Sequence, residues 1–364
     1  MKRFAAACVV WLGTGLAAAG EDKGGLGGDI VAMAEHTTAY PGEDEFGTAL
    51  FYCRAHYLFE FSESVGAFVE GQVGEGSGVL PELLAPAPDL TRWGVNALAY
   101  DSADDIEVRQ AYVRAMFGES HSLIAGKVAL SELFGANIGG RNAWESFLCP
   151  GLVTEPLVPY PAPGFSVFYG VKLAESLSLR VAFGEDDADW DDSFHEEGFY
   201  IVEIEQRFGG GRLRGALWSE PQRVPYTGDG VGPGDWTPVG LSLDYSFRLG
   251  EFDCFARLGT RPPDLYQVDF AISGGFQLPI AKNRLGFGFV ASSWSESYID
   301  YTRLPGAPAA INDPAAEIVT ELYYRMELEP GLYLVPDIQV LFCPNGHGSQ
   351  DPVGVLSLRA HVAF

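Results

Sequence analysis

LSLRAHVAF, residues 356–364, closes the chain on an aromatic ring. Apolar side chains fall on Leu356, Leu358, Ala360, Val362 and Phe364, and Ser357, Arg359 and His361 stand between them. A period of two is the mark of a strand with one apolar and one polar face. Soluble domains usually finish in polar residues that fray into water. A strand kept apolar on one face out to its last ring instead suits a sheet whose outer face touches lipid.

The alternation recurs along the chain. Ala49, Phe51, Cys53, Ala55, Tyr57, Phe59 and Phe61 share one face, opposite Arg54, His56 and Glu60. Phe165, Val167, Tyr169, Val171 and Leu173 repeat the pattern. Tyr200, Val202, Ile204 and Phe208 stand opposite Glu203, Glu205 and Arg207. Val239, Leu241, Leu243, Tyr245 and Phe247 face away from Ser242, Asp244, Ser246 and Arg248. Leu285, Phe287 and Phe289 continue the series, and Leu334, Ile338, Val340 and Phe342 lie opposite Asp337 and Gln339. About sixteen such segments are predicted, near 27–39, 48–61, 65–74, 106–117, 121–129, 164–174, 177–184, 198–208, 212–220, 237–249, 252–260, 267–279, 284–294, 316–328, 332–342 and 353–364. Most have the length a tilted strand needs to cross a bilayer, roughly 9–11 residues.

The connections are as informative as the strands. Even-numbered segments are followed by tight links such as Glu175-Ser176, Gly209-Gly210-Gly211 and Gly250-Glu251. Odd-numbered ones are followed by long segments, 40–47, 75–105, 130–163, 185–197, 221–236, 261–266, 295–315 and 343–352. Short turns on one rim and long loops on the other characterise outer-membrane barrels. The fold class read from this is all-β: a transmembrane antiparallel up-and-down β-barrel of about 16 strands, with short periplasmic turns and long extracellular loops. Closure also removes the exposed sheet edges that a soluble sandwich must protect. Phe364 would then sit in the aromatic girdle of the periplasmic rim.

The compartment agrees. Met1-Lys2-Arg3, the apolar run from Phe4 to Leu16 and the small residues Ala17-Ala18-Ala19-Gly20 form the pattern of a cleaved secretory signal peptide, 1–20, leaving 21–364 as the barrel. No other stretch approaches the ~18 apolar residues of a membrane helix. Yet 47% of the residues are hydrophobic, more than an exported chain with no greasy helix needs unless lipid or a large core takes them up. The formal charge is −26, and −28 once Lys2 and Arg3 leave (21 basic against 49 acidic). Nucleic acid and anionic solutes are therefore excluded as default partners.

Four cysteines follow the leader: Cys53, Cys149, Cys254 and Cys343. No CxxC or zinc spacing is present, so no metal and no cofactor is expected. Cys53 and Cys254 lie on apolar strand faces, and Cys149 and Cys343, both in loops, form the one pair placed to bridge.

Charge is distributed unevenly. Acidic residues cluster in the long loops, at Glu43, Asp44 and Glu45, at Asp101, Asp104 and Asp105, and as eight carboxylates in EDDADWDDSFHEE, 185–197. They read either as solvated loops or as a negative outer mouth that bridges divalent ions to neighbouring lipopolysaccharide. Arg54, Arg114, Arg180, Arg248, Arg325 and Arg359 fall instead on polar strand faces, which closure turns toward the lumen. An arginine facing lipid at mid-depth costs several kcal/mol, so the inward placement is favoured. Two roles stay open for them: pairing with inward carboxylates such as Asp244, Glu321 and Asp337, or hydrogen bonding to the hydroxyls of an uncharged solute. The loop 130–163 combines Phe134, Trp144 and Phe147 with Arg141, Asn142 and Glu145. A loop so long with apolar anchors either folds into the lumen as a constriction or drapes over the rim.

The C-terminal third carries a further pattern. ELYYRMELEPGLYLVPDIQVLFCPNGHG, 321–348, followed by VLSLRAHVAF, resembles the end of carbohydrate-selective porins of the OprB type. Pro336-Asp337-Ile338-Gln339 is the most specific run. FARLG (255–259), SGGFQLP (273–279), QAYV (110–113) and AGK (125–127) are similar to the family as well. The resemblance implies a sixteen-stranded outer-membrane barrel passing small sugars by diffusion, with an inward loop after the fifth strand and arginine-bearing walls at its narrow point. Residue by residue it carries over only to Asp337 and Gln339. Cys343-Pro344-Asn345-Gly346 departs from the family, where an Asn usually precedes Pro-Gly, and four cysteines are unusual in such a barrel.

The function expected is a passive outer-membrane channel for small neutral sugars in a Gram-negative-type bacterium, not an enzyme. The pore-lining candidates are Arg54, Gln110, Arg114, Arg141, Asn142, Trp144, Arg180, Asp244, Arg248, Arg257, Glu321, Arg325, Asp337, Gln339 and Arg359. The expected partners are small sugars, outer-membrane lipid and lipopolysaccharide, and the outer-membrane assembly machinery through the strand ending in Phe364, with monomer and homotrimer both open. A general cation-favouring porin is the alternative that the acidic charge supports. A barrel enzyme or an adhesin is the remote one. None of His36, His56, His121, His347 and His361 sits in a recognisable nucleophile constellation, and His195 among its carboxylates reads as solvated.

Overall fold

The computed structural model describes residues 24–37, 47–76, 107–134, 145–155, 157–185, 198–220, 239–262, 268–303 and 310–364. The expected leader 1–20, the acidic runs 43–45 and 101–105, all of 185–197 between Glu185 and its end, and Arg141, Asn142 and Trp144 lie outside these residues.

Sixteen strands form: β1 Gly24–Thr37, β2 Gly47–Glu60, β3 Val65–Gly76, β4 Glu107–Phe117, β5 His121–Val128, β6 Gly164–Ala174, β7 Leu177–Glu185, β8 Gly198–Phe208, β9 Gly211–Ser219, β10 Val239–Leu249, β11 Phe252–Thr260, β12 Val268–Ile280, β13 Asn283–Trp294, β14 Glu317–Glu329, β15 Leu332–Phe342 and β16 Val353–Ala363. Each pairs antiparallel with its neighbours in sequence, and β16 pairs with β1, closing the barrel. Every boundary lies within three residues of the one the alternation predicts. Short helices interrupt the long connections: α1 Leu130–Leu133, α2 Pro150–Val153 and α3 Glu296–Thr302.

Closure explains the terminal ring. Phe364 and Gly28 exchange backbone hydrogen bonds of 2.9 and 3.0 Å. A Cβ on Gly28 would stand 2.6 Å from Phe364 Cζ, so the ring rests on bare backbone across the seam. The tight turns take the left-handed backbone that two-residue hairpin turns need, at Gly250 (φ +61°) and Gly331 (φ +80°), while Ala281 adopts it (φ +55°) without glycine's freedom.

The two faces separate as the alternation requires. Leu356, Leu358 and Val362 are exposed on the outside, and Ser357, Arg359 and His361 are buried inside. Exposed rings mark both outer rims, Phe61, Phe117, Phe208 and Phe252 toward the short turns and Tyr200, Phe270 and Phe342 toward the long loops. The apolar band between them is what a bilayer-spanning barrel presents to lipid.

The inside holds more apolar surface than the alternation suggests, because residues 145–163 follow the inner wall. Leu148 packs with Val31, Met33, Leu50 and Tyr52 of β1 and β2. Phe147 meets Phe255 and Tyr323 edge-on at 5.9 and 4.9 Å, and Leu152 joins the same cluster with Val290, Val319 and Val335. Val158 packs with Phe199, Ile201 and Trp218 of β8 and β9, beside Leu130 and Phe134 from the start of the same connection. Leu157 meets Tyr298 of α3. Phe147, Leu148 and Leu152 are fully buried, each worth roughly 1.5–3 kcal/mol of apolar burial.

The one cysteine pair placed to bridge stays unbridged. No disulfide joins Cys149 and Cys343. Cys149 is held by the packing of its segment against β14 rather than by a bridge.

Candidate functional site

Inward side chains divide by whether the inner segment covers them. On β2 to β5 several stay half-exposed, Arg54, His56, Phe68, Tyr112, Arg114 and Ile124 among them, while Leu50, Tyr52, Glu70 and Gln110 are buried. On β8 to β16 most are buried beneath residues 145–163.

The half-exposed wall carries a ladder of rings. His56 stacks on Phe68 with centroids 5.3 Å apart, and Phe68 stacks on Tyr112 at 5.0 Å. Phe68 and Tyr112 are register partners across β3 and β4, and His56 on β2 lies diagonal to Phe68, so one face of three strands presents three near-parallel rings. Arg54 and Arg114 flank it. Arg114 pairs with Glu60 at 3.2 Å. Arg54 bonds Asp29 at 2.7 Å and lies 3.5 Å from Glu70 and 3.4 Å from Glu132.

Arg109 enters the same group through a bulge. The register shifts between Glu70, opposite Gln110, and Gly71, opposite Val108, which leaves Arg109 as the extra residue. A bulge puts two successive side chains on one face. Arg109 and Gln110 therefore both turn inward, Arg109 to Glu70 at 2.5 Å and Glu132 at 2.6 Å, and Gln110 to the same two carboxylates at 3.2 and 3.1 Å. Strict alternation from Gln110 and Tyr112 sends Arg109 outward, so the sequence reading missed it.

The other candidates mostly hold the inner segment. Glu321 accepts the Leu148 and Cys149 backbone N–H groups at 2.5 and 2.8 Å. Arg359 donates to Ser146 O at 2.8 Å and reaches Asp337 at 3.3 Å. Arg257 pairs with Asp244 at 2.7 Å and donates to the carbonyls of Leu152 and Thr154. Asp244 also meets Arg214 at 3.2 Å. Gln339 is buried beside them, and no hydrogen bond to its amide occurs among the described residues. Arg180 is half-exposed, between Glu203 (2.9 Å), Glu205 (2.7 Å) and Leu133 O (3.0 Å). Arg325 pairs with Glu145 and covers the Tyr333 ring at 4.7 Å. Arg248 stands exposed at the short-turn rim, paired with Asp253 at 3.0 Å.

Thus Arg54, Arg114, Arg180 and Arg325 reach the lumen. Gln110, Asp244, Arg257, Glu321, Asp337, Gln339 and Arg359 are buried in the wall or under the inner segment. Burial, then the Glu321 carboxylate beside it, push the Cys149 thiol well above its usual range. Among the described residues no group of His, Cys, Asp and Glu is arranged to hold a metal ion.

Comparison with known proteins fits this architecture. Superposed on Pseudomonas putida OprB, the chain gives a TM-score of 0.78 with 94% of each chain covered at 12% identity. The fold is that of the porins. Salmonella typhi OmpF, in a complex with daunomycin, follows at a TM-score of 0.61 and 12% identity, covering 94% of this chain and 98% of that one. OmpT of Vibrio cholerae gives 0.55 at 12% identity, covering 94% and 100%. Residues 249–364 match the family model described as carbohydrate-selective porin, OprB family. No curated protein sequence matches the chain. The family and the folds matched are those of channels, not enzymes.

Proposed function

We propose that this barrel is a passive outer-membrane channel for small neutral sugars, with residues 130–163 narrowing the lumen as its constriction. The observation that carries this reading is the ladder His56–Phe68–Tyr112 on the half-exposed wall, flanked by Arg54 and Arg114. Ring faces offer apolar area to the C–H face of a sugar, and guanidinium groups donate to its hydroxyls without needing an anion. Each of these arginines already has a carboxylate, so the wall offers hydrogen bonds with little net positive charge. The family match over residues 249–364 supports the same substrate class. Export through the leader 1–20, contact with lipopolysaccharide and recognition of the Phe364 strand by the assembly machinery belong to the same proposal.

Planar-bilayer conductance with maltose or glucose titrated into the salt tests it. Saturable block at millimolar sugar is expected. Phe68→Ala should raise the half-blocking concentration about fivefold, the equivalent of ~1 kcal/mol for one ring contact. A large current untouched by sugar at every concentration would reject the sugar reading and leave a general cation-favouring porin.

A further inference from the structure

Arg54 is held from behind by two residues that lie deeper in the wall. Its Nη2 and Nε donate to one oxygen of Asp29, at 2.7 and 3.2 Å. The other Asp29 oxygen lies 2.8 Å from the Nε2 of His361. The three residues come from β2, β1 and β16, neighbouring strands across the seam that closes the barrel. Their side chains are 18%, 11% and 0% exposed, so the series runs from the lumen into the wall. A carboxylate paired with a guanidinium can only accept, so the His361 Nε2 carries a hydrogen and donates it to Asp29. In the neutral imidazole, Nδ1 is then a bare acceptor. It has no hydrogen-bond partner among the described residues and faces another acceptor, Glu145 Oε1, at 3.7 Å.

We infer that Asp29 and His361 are positioning residues for Arg54, which together aim its guanidinium at the hydroxyls of a passing sugar. Without Asp29, the carboxylates left to Arg54 are Glu70 at 3.5 Å and Glu132 at 3.4 Å, both away from the seam. The guanidinium would turn toward them, and a planar fork of donors aimed elsewhere loses its acceptor. His361 acts one step further back. Its N–H occupies one Asp29 oxygen and leaves the other to Arg54, and its ring is fixed by stacking on Tyr333 with centroids 5.5 Å apart. A proton on Nδ1 changes this balance. It makes a donor facing Glu145, and it places a positive charge behind Asp29 that repels Arg54. The charged groups around the imidazole are Asp29 from β1 and Glu145 from the inner segment, and behind these Arg54 from β2 and Arg325 from β14. Arg359, on the same strand as His361, is turned to Ser146 and Asp337. The inference deepens the sugar-channel reading and rests on it.

The test is the half-blocking concentration of maltose in planar bilayers, with unheated gel mobility to show that each variant is folded. His361→Phe keeps a ring for Tyr333 but has no donor. It should raise the half-blocking concentration about twofold to tenfold, the worth of one hydrogen bond, and leave the sugar-free conductance near wild type. His361→Gln, which keeps an N–H for Asp29, should bring the value back to that of the wild type. In an Arg54→Gln background, His361→Phe should add nothing, because its effect passes through Arg54. Asp29→Asn provides the same reading if His361→Phe fails to fold. Between pH 8 and pH 5, where an imidazole changes charge, the wild-type half-blocking concentration should rise up to about threefold, as for two like charges about 7 Å apart in water, and that of His361→Gln should stay flat. A folded His361→Phe blocked like the wild type would overturn the inference. So would an effect that persists in full without Arg54, or a pH profile that His361→Gln leaves unchanged. Maltose that fails to block the wild type rejects the sugar reading and this inference with it, whereas equal block of the wild type and of every variant rejects only the positioning roles.

Discussion

The seating of residues 145–163 can be weakened in two independent steps. Phe147→Ala removes a fully buried ring wedged between Phe255 and Tyr323, at a cost of about 3–5 kcal/mol. Glu321→Gln keeps one carbonyl oxygen where a carboxylate accepts two backbone N–H groups, at 2.5 and 2.8 Å. One N–H is left facing an amide, at a cost of about 1–3 kcal/mol. Against these stand the three buried side chains Phe147, Leu148 and Leu152, together about 5–9 kcal/mol. Glu321→Gln alone should therefore leave the segment seated and the conductance near wild type. Phe147→Ala should add current noise, and the double variant, at about 4–8 kcal/mol, should release the segment for much of the time. The assay is single-channel conductance, paired with chymotrypsin digestion and with unheated gel mobility to show that the barrel is closed. A double variant that is folded, conducts like the wild type and resists protease would refute the reasoning, because the segment would then owe its place to something other than these contacts.

Three further outcomes follow from the wall. Cys149 should resist maleimide in the folded protein over hours and react at once when unfolded, while Cys343 reacts in both; non-reducing gels should show no mobility change attributable to a bridge. Gly286→Val should lower the temperature at which the barrel loses its compact gel mobility, because a Cβ at Gly286 would stand 2.1 Å from Tyr323 Cε1 and the ring must move, at about 1–3 kcal/mol. Deleting Phe364 should reduce the folded fraction recovered in lipid vesicles, since two seam hydrogen bonds and the ring over Gly28 are lost together, and an undiminished yield would show the seam to be set by the remaining rungs of β1 and β16.

The strands were legible because lipid enforces the rule that reveals them. An outward position in a spanning strand cannot be polar without penalty, so Leu356, Leu358 and Val362 mark their face whatever the interior does. The interior obeys no such rule. In β8, Phe199, Tyr200, Ile201 and Val202 are apolar on both faces, and only at Glu203 and Glu205 does the inner face turn polar. In β16 the inner face likewise changes from Val353 and Val355 to Ser357, Arg359 and His361. Such two-sided apolar stretches toward the long-loop ends signal a covered inner wall, and the run could have been read that way. The partners of the arginines were less accessible. Glu132 and Arg109 meet through an α-turn and a bulge, and neither leaves a periodic trace.

Why charged residues are buried under an apolar segment follows from the backbone of that segment. Among the described residues of 145–163 the single turn of α2 is the only regular structure, so few of their peptide groups can satisfy one another. Buried peptide groups without partners cost free energy, and within a membrane barrel irregular backbone is tolerated where protein supplies those partners. The wall supplies them with long side chains. Glu321 takes the N–H groups of Leu148 and Cys149, Arg359 gives to Ser146 O, and Arg257 gives to the carbonyls of Leu152 and Thr154. Where the connection leaves β5, Gln110 accepts from Ala129 N and Arg180 gives to Leu133 O. Each of these charges also has a partner of opposite sign on the wall or lies close to one, as Arg257 has Asp244 and Arg359 has Asp337. A residue type that suits sugar hydroxyls thus suits peptide groups equally well, because both present neutral donors and acceptors at the same distances. The sequence pattern alone cannot separate the two uses. The separating variable is whether the inner segment lies over the side chain, and by that measure Arg54 and Arg114 stay half-exposed on the inner wall whereas Arg257 and Arg359 are buried against the segment they hold.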